Sequence, residues 1–221
     1  MLEAAAASGR SLMIGQCLRF FPEYMCLKEL LKDGTYGRAV SAVFRRMSAP
    51  PVWSWENWLM DKTLSGGCLL DMHVHDIDIS RYLFGEPEAV SCVTGDVYSG
   101  ADIVHSRLFY PGLSVLAIGD WSQEGAPFTA DYRVALEKAT VVCESGVVTV
   151  YPRGGTPFTP ELCQTGGYEG EIEYFVDLIE NGAQNGKNPP ESAANTVKLM
   201  ETLQESAKQD GGKLPYRPVF Q

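Results

Sequence analysis

The stretch GGCLLDMHVHDID, residues 66–78, gathers two of the chain's three histidines, His73 and His75, with the acids Asp71, Asp76 and Asp78. Imidazoles and carboxylates placed this close together can do two kinds of chemistry. They can hold a metal ion, or they can move protons to and from a bound hydroxyl. The spacing and the surrounding elements decide between the two.

The metal reading is that of a metal-dependent amidohydrolase, whose Asp-x-His-x-His run LLDMHVH imitates. That chemistry needs both histidines at a strand end and further ligands on later strands. Only His105 remains downstream. The run also follows Gly66 and Gly67 and continues into DIDISRYLF, a pattern that predicts a helix. On a helix, residues two apart point roughly 200° from each other. His73 and His75 cannot then chelate together, and no metal site is expected. Asp71 and His75 are four apart and share a helical face, which Asp78 extends. A carboxylate bonded to an imidazole fixes its tautomer and raises its basicity, leaving the other nitrogen to take a proton from a substrate hydroxyl. The same spacing equally suits a helix start whose acids favour the dipole and whose histidine is satisfied within the fold.

The elements that must position these residues can be read along the chain. Residues 2–9 suit a short helix closed by Gly9. SLMIGQCL (11–18) predicts a short buried strand, and Pro22 opens an amphipathic helix that Gly34 closes. RAVSAVFRRM (38–47) alternates like a strand, and APPVWSWENW (49–58) is an aromatic-rich loop. One helix is expected after Gly66 and Gly67, running to about Phe84 and ended by GEP. From Val90 to Tyr151 the chain reads as successive strands rich in Val, Tyr, Phe and Thr, with turns at residues 111–112 and 145–146. Helical periodicity returns over 170–182 and 191–209. Strands that follow one another without intervening helices pair antiparallel. The expected class is α+β, a large, mostly antiparallel open sheet with helices on one face.

Composition narrows the function classes. The 221 residues are 45% apolar, enough for a sizeable core, and carry a formal net charge of −10. With no basic run, neither nucleic acid nor an anionic membrane is an expected partner. No apolar stretch approaches the ~20 residues that span a bilayer. The N-terminal residues lack the basic-then-apolar order of a signal peptide. Six cysteines without a Cys-x-x-Cys pair are expected to be free, mostly buried thiols of a reducing cytoplasm, so a cytoplasmic location is expected.

Residues 65–90, SGGCLLDMHVHDIDISRYLFGEPEAV, resemble the signature S-G-G-x-L-x-D-x-x-x-H-x-I-D-x-x-x-x-L-x-G of the Gfo/Idh/MocA family of NAD(P)-dependent oxidoreductases. SLMIGQCLRFFPEYMCLKELLKDGTYGRAVSAVFRR is similar to the family's strand, Arg-Phe-x-Pro helix and Gly-x-x-Gly turn. GYEGEIEYFVDLIENG and PPESAANTVKLMETLQESAKQDGGK are similar to its last helices. The resemblance implies a C-terminal domain like that of glyceraldehyde-3-phosphate dehydrogenase, acting on a sugar, inositol or related hydroxyl compound. It implies His75 as acid/base with Asp71 as its partner. It makes Asp78, Arg19 and Trp58 candidates for substrate contact. Arg19 and the tryptophans at 53, 55 and 58 suit packing equally well. His105 suits packing in a strand, and His73 has no assigned role. The resemblance also implies a homodimer or larger homo-oligomer through the free sheet face.

One departure matters more than the match. The family's nucleotide-binding domain carries a Gly-x-Gly-x-x-Gly turn at the start of a helix. Here the glycine pairs at 66, 154, 166 and 211 lack that spacing. Residues 1–17 are expected to be a remnant helix and strand of such a domain, and 18–221 the substrate-binding and oligomerisation domain. NAD or NADP is implied by the resemblance, with no cofactor-binding residue in this chain and no binding expected from it alone. The alternative is a non-catalytic module that binds a sugar or polyol, or that serves to dimerise.

Overall fold

In most of the strands between Ala39 and Pro152 buried and exposed residues alternate, and the alternation builds a sheet. In the computed structural model, which describes residues 1–220, the strands are β1 (Ala39–Met47), β2 (Ala89–Gly95), β3 (Ile103–Tyr110), β4 (Leu113–Asp120), β5 (Thr129–Leu136), β6 (Ala139–Glu144), β7 (Val147–Pro152) and a short β8 (Leu214–Pro215). They make one sheet in the order β7-β6-β5-β1-β4-β3-β2-β8. Neighbours run antiparallel except β1 and β4, which are parallel. The β6–β7 hairpin turns on Ser145 and Gly146 at φ 50° and 77°. That pair of positive angles matches the strands' right-handed twist, and glycine adopts its share without strain.

The helices are α1 (Leu2–Ser8), α2 (Pro22–Asp33), α3 (Lys62–Ser65), α4 (Gly67–Asp71), α5 (His73–Phe84), α6 (Gly167–Asn181) and α7 (Pro190–Lys208). Pro22 sits in the first turn of α2, where its missing N–H costs nothing, and Gly34 ends the helix in the left-handed region. One sheet face presents Ala42, Phe44, Val104, Leu108, Val115, Ala117, Tyr132 and Val134, all buried. Rings from the helices pack against it. Tyr24 of α2 meets Tyr132 at 5.4 Å, and Phe84 of α5 meets Phe44 at 6.3 Å between centroids. The predicted α+β class and one-sided helical cover therefore hold. The opposite face carries exposed Arg45, His105, Arg107, Leu116 and Arg133. Its apolar residues are interleaved with charge, and Arg45 donates to both oxygens of Asp131 across the β1–β5 pair at 2.8 and 2.6 Å.

Two expectations need correction. Residues 11–16 form no strand, and 17–19 turn as a 3-10 helix. A strand needs a ladder partner, and this segment has none. Leu12 and Ile14 instead line an apolar groove with Ala193, Ala194 and Val197 of α7, and Asn188 Nδ2 donates to the Ile14 carbonyl at 2.7 Å. The single helix expected after Gly67, to about Phe84, is interrupted at Met72, between α4 and α5. Met72 keeps helical dihedrals (φ −96°, ψ −44°), but His75 N bonds the Met72 carbonyl three residues back, a tightened turn.

A buried ion pair ties these layers together. Arg19 Nε and Nη2 donate to the two Asp78 oxygens at 2.8 and 2.7 Å, and both side chains are essentially sealed. Arg19 also donates to Ser192 Oγ and to the Lys187 carbonyl, while Thr196 Oγ1 donates to Asp78 at 2.7 Å. His73 is another of the core's polar groups. Its Nε2 shares a 2.8 Å hydrogen bond with Ser106 Oγ of β3. Its Nδ1 lies over Gly119, where an added Cβ would come within 3.0 Å of it.

Removing one partner of the sealed pair should be costly. Asp78→Asn is expected to lower stability by about 3–5 kcal/mol, while Arg19→Met with Asp78→Leu should cost far less, both read by urea unfolding. Equal losses would contradict the assignment. His73 should make the fold acid-sensitive. Burial, then the charge of Arg46 and the His105 ring, push its pKa down to about 3. Below pH ~6.5 the unfolded ring takes up a proton that the folded ring refuses, so stability should fall by about 1.4 kcal/mol per pH unit. His73→Gln should flatten that slope.

Candidate active site

α4 and α5 bring the chemistry-bearing stretch under the sheet. The Gly66–Gly67 pair starts α4, and the inward register of β1 places Arg46 in line with Ala42 and Phe44, facing the helices. A cavity of about 350 Å³ opens there. Its wall includes Cys17, Tyr24, Arg46, His75, Phe128 and Tyr168. Phe21 and Tyr168 close one side, edge to face at 5.3 Å.

His75 is half-buried, and its Nδ1 is sealed from solvent with no hydrogen-bond partner. Burial first, then the charge of Arg46, lower its pKa against the opposing pull of Asp76 and Asp78. The ring is therefore neutral at pH 7 and able to accept a proton. Arg46 is buried and paired with Asp76 through Nε and Nη2 at 3.0 and 3.1 Å, and Nη2 also donates to Tyr24 Oη at 3.1 Å. Burial opposes its charge, but Asp76 and Tyr24 outweigh it and the pKa moves up. Burial likewise raises the Tyr24 hydroxyl and the Cys17 thiol, so both remain protonated.

The remaining expected site residues lie elsewhere. Asp71 ends α4, partly buried, with its carboxyl pushed up by burial, and no hydrogen bond joins it to His75 among the described residues. Asp78 and Arg19 are spent on each other in the core. Trp58, 41% exposed, lies in a 3-10 segment over 55–60, and Trp53 and Trp55 are more exposed still. None of the three lines the His75 cavity. His105 is in β3 on the helix-free face. Reading by motif passed over Arg46, although its place in the Ala42–Phe44–Arg46 alternation was a usable signal.

The six cysteines are free, and Cys163 is the exposed one. Among the described residues no three His, Cys, Asp or Glu side chains are grouped to hold a metal, and no helix is long and apolar enough to cross a membrane. A dinucleotide's pyrophosphate needs open N–H groups at a glycine-led helix start. At α4 the Leu70 side chain covers Gly66, and Cys68 N already donates to the Ala101 carbonyl at 3.1 Å. At α6 the Phe21 ring occupies the space beside Gly167, where a Cβ would lie 2.0 Å from it. Neither start fits a pyrophosphate.

Residues 24–153 match the GFO/IDH/MocA C-terminal domain. The inositol 2-dehydrogenase of Rhizobium meliloti (strain 1021) is 29% identical over 203 residues, covering 83% of this chain and 59% of the relative. The 2,7-anhydro-N-acetylneuraminate hydratase of Escherichia coli (strain K12) is 31% identical over 135 residues, covering 55% of this chain and 34% of the relative. The chain thus spans about three-fifths of the length of the first and a third of the second. The crystal structure of aldose-aldose oxidoreductase from Caulobacter crescentus, complexed with glycerol, superposes with a TM-score of 0.85 at 21% identity, over 97% of this chain and 67% of that one. An inositol dehydrogenase homolog from Azotobacter vinelandii, complexed with NAD+, gives 0.82 at 16% identity over the same shares. At those identities the structures speak for the fold, and the domain match, over more than half of the sequence, speaks for the family. The chain belongs to the GFO/IDH/MocA family through its C-terminal domain.

Proposed function

We propose that this chain is the substrate-binding part of an oxidoreductase acting on a hydroxyl of an inositol, sugar or related polyol, with residues 18–221 forming the substrate domain. The single observation that carries the reading is His75, a neutral imidazole on the wall of a cavity sized for a small ring. In this reading His75 accepts the proton of a substrate hydroxyl and returns it in the reverse direction. Asp71 is the carboxylate proposed for the partnerless Nδ1. It stands four residues before His75 on a nearly continuous helix, and turning its side chain towards the ring would fix the tautomer. NAD or NADP is the redox partner that the family relationship suggests. Its binding falls to a nucleotide-binding domain rather than to the helix starts described above. The free sheet face is proposed to pair with a second copy.

The isolated chain should bind myo-inositol weakly, in the millimolar range, and the histidine ring signal that disappears in His75→Asn should move during the titration. That variant should keep the fold and bind about fivefold more weakly, the worth of one hydrogen bond. Asp71→Asn should shift the pH at which the His75 ring titrates. Absence of binding by any polyol would remove the reading, and an unmoved ring titration would remove Asp71 from it. Sedimentation equilibrium should show a dimer or larger species, and a clean monomer would dismiss the pairing.

A further inference from the structure

Arg46 holds donors that the fold does not use. A guanidinium offers five N–H bonds in a fixed plane. Nε and Nη2 engage Asp76 and Tyr24. Among the described residues Nη1 donates to nothing, and it is not one of the side-chain atoms sealed away without a partner. Arg46 is only 7% exposed, and it lines the same cavity as His75. An inward-facing cation whose free edge meets a cavity, with its other edge clamped by a carboxylate, is preorganised for a ligand oxygen.

We propose that Arg46 is a substrate-contacting, specificity-determining residue. Its Nη1 donates to an oxygen neighbouring the hydroxyl whose proton His75 handles, so the site selects a vicinal pair of hydroxyls. The proposal rests on the reading of His75 given above. Charge decides what kind of oxygen it takes. Asp76 already neutralises the guanidinium. Glu23 lines the cavity, and Glu171 lies close enough to act on the Cys17 thiol. A carboxylate or phosphate ligand would meet those acids, whereas a neutral hydroxyl would not. Asp76 and Tyr24 hold the guanidinium plane, so binding freezes little new motion.

The test titrates the full chain with cis-1,2-cyclohexanediol, with cyclohexanol and with myo-inositol, while the Arg46 guanidinium nitrogens and the His75 ring are followed by NMR. The diol should bind about tenfold more tightly than the mono-alcohol, the worth of a hydrogen bond to a charged donor. The Arg46 Nη signals should move with the diol and with inositol, and not with cyclohexanol. In Arg46→Lys the diol's advantage should fall to about twofold, because an ammonium cannot reproduce the clamped plane. If that variant fails to fold, Arg46→Met with Asp76→Leu replaces the pair by apolar groups and gives the same comparison. The wild-type nitrogen shifts stand in either case. Equal affinities for diol and mono-alcohol, or an undiminished advantage in the variants, would overturn the proposal. Inositol binding that moves the His75 ring and leaves Arg46 unmoved would overturn it too, while sparing the His75 reading. No binding by any of the three would sink both.

Discussion

The buried pair of Arg19 and Asp78 is the constraint on which the arrangement of the helical layer depends. A carboxylate taken out of water is tolerated only with a counter-charge and satisfied oxygens. Here two guanidinium donors and the Thr196 hydroxyl meet that demand. Arg19 belongs to the turn before α2, Asp78 to α5, and Ser192 and Thr196 to α7. A shift of any of these elements would strand a charge, so the three move as one body. His75 sits one turn before Asp78 on α5 and inherits that rigidity. The motif residue Asp78 thus ties the helix that carries His75 to the turn before α2 and to α7.

A second ion pair sets the electrostatics. Arg46 and Asp76 neutralise each other beneath the sheet, and Arg46 helps keep His75 neutral. The cavity therefore combines a neutral imidazole, a clamped and neutralised guanidinium and protonated Tyr and Cys side chains, with Glu23 as the acid on its wall. This wall chemistry underlies the proposed preference for hydroxyls over acids.

Local rules made most of the fold legible. The alternation over Val90–Tyr151 and the helical periods expected from Pro22 and over 170–182 and 191–209 fall on elements of the structure, the last two starting three residues and one residue earlier than expected, because each stretch is consistent with its own burial. Leu12 and Ile14 misled because apolar side chains also suit a groove against a helix, and a strand exists only where a neighbour supplies its hydrogen bonds. The interruption at Met72 has no proline or glycine to announce it. Asp78 looked free for substrate because a motif records spacing and not which residue, 59 positions earlier, meets it. Arg46 was legible in principle. A charged residue in the inward phase of a strand demands a buried partner.

The placement of β1 has a consequence for how the molecule comes into being. It precedes the other strands of its sheet along the chain, yet it lies in the middle of the sheet, flanked by β4 and β5. The contact between Arg45 and Asp131 closes a span of 86 residues. Until β4 and then β5 have left the ribosome, Ala42 and Phe44 lack the neighbours they pair with, and the edges of the strand offer unpaired amides. The interval in which β1 stays unpaired is thus set by how far its partners follow it along the chain.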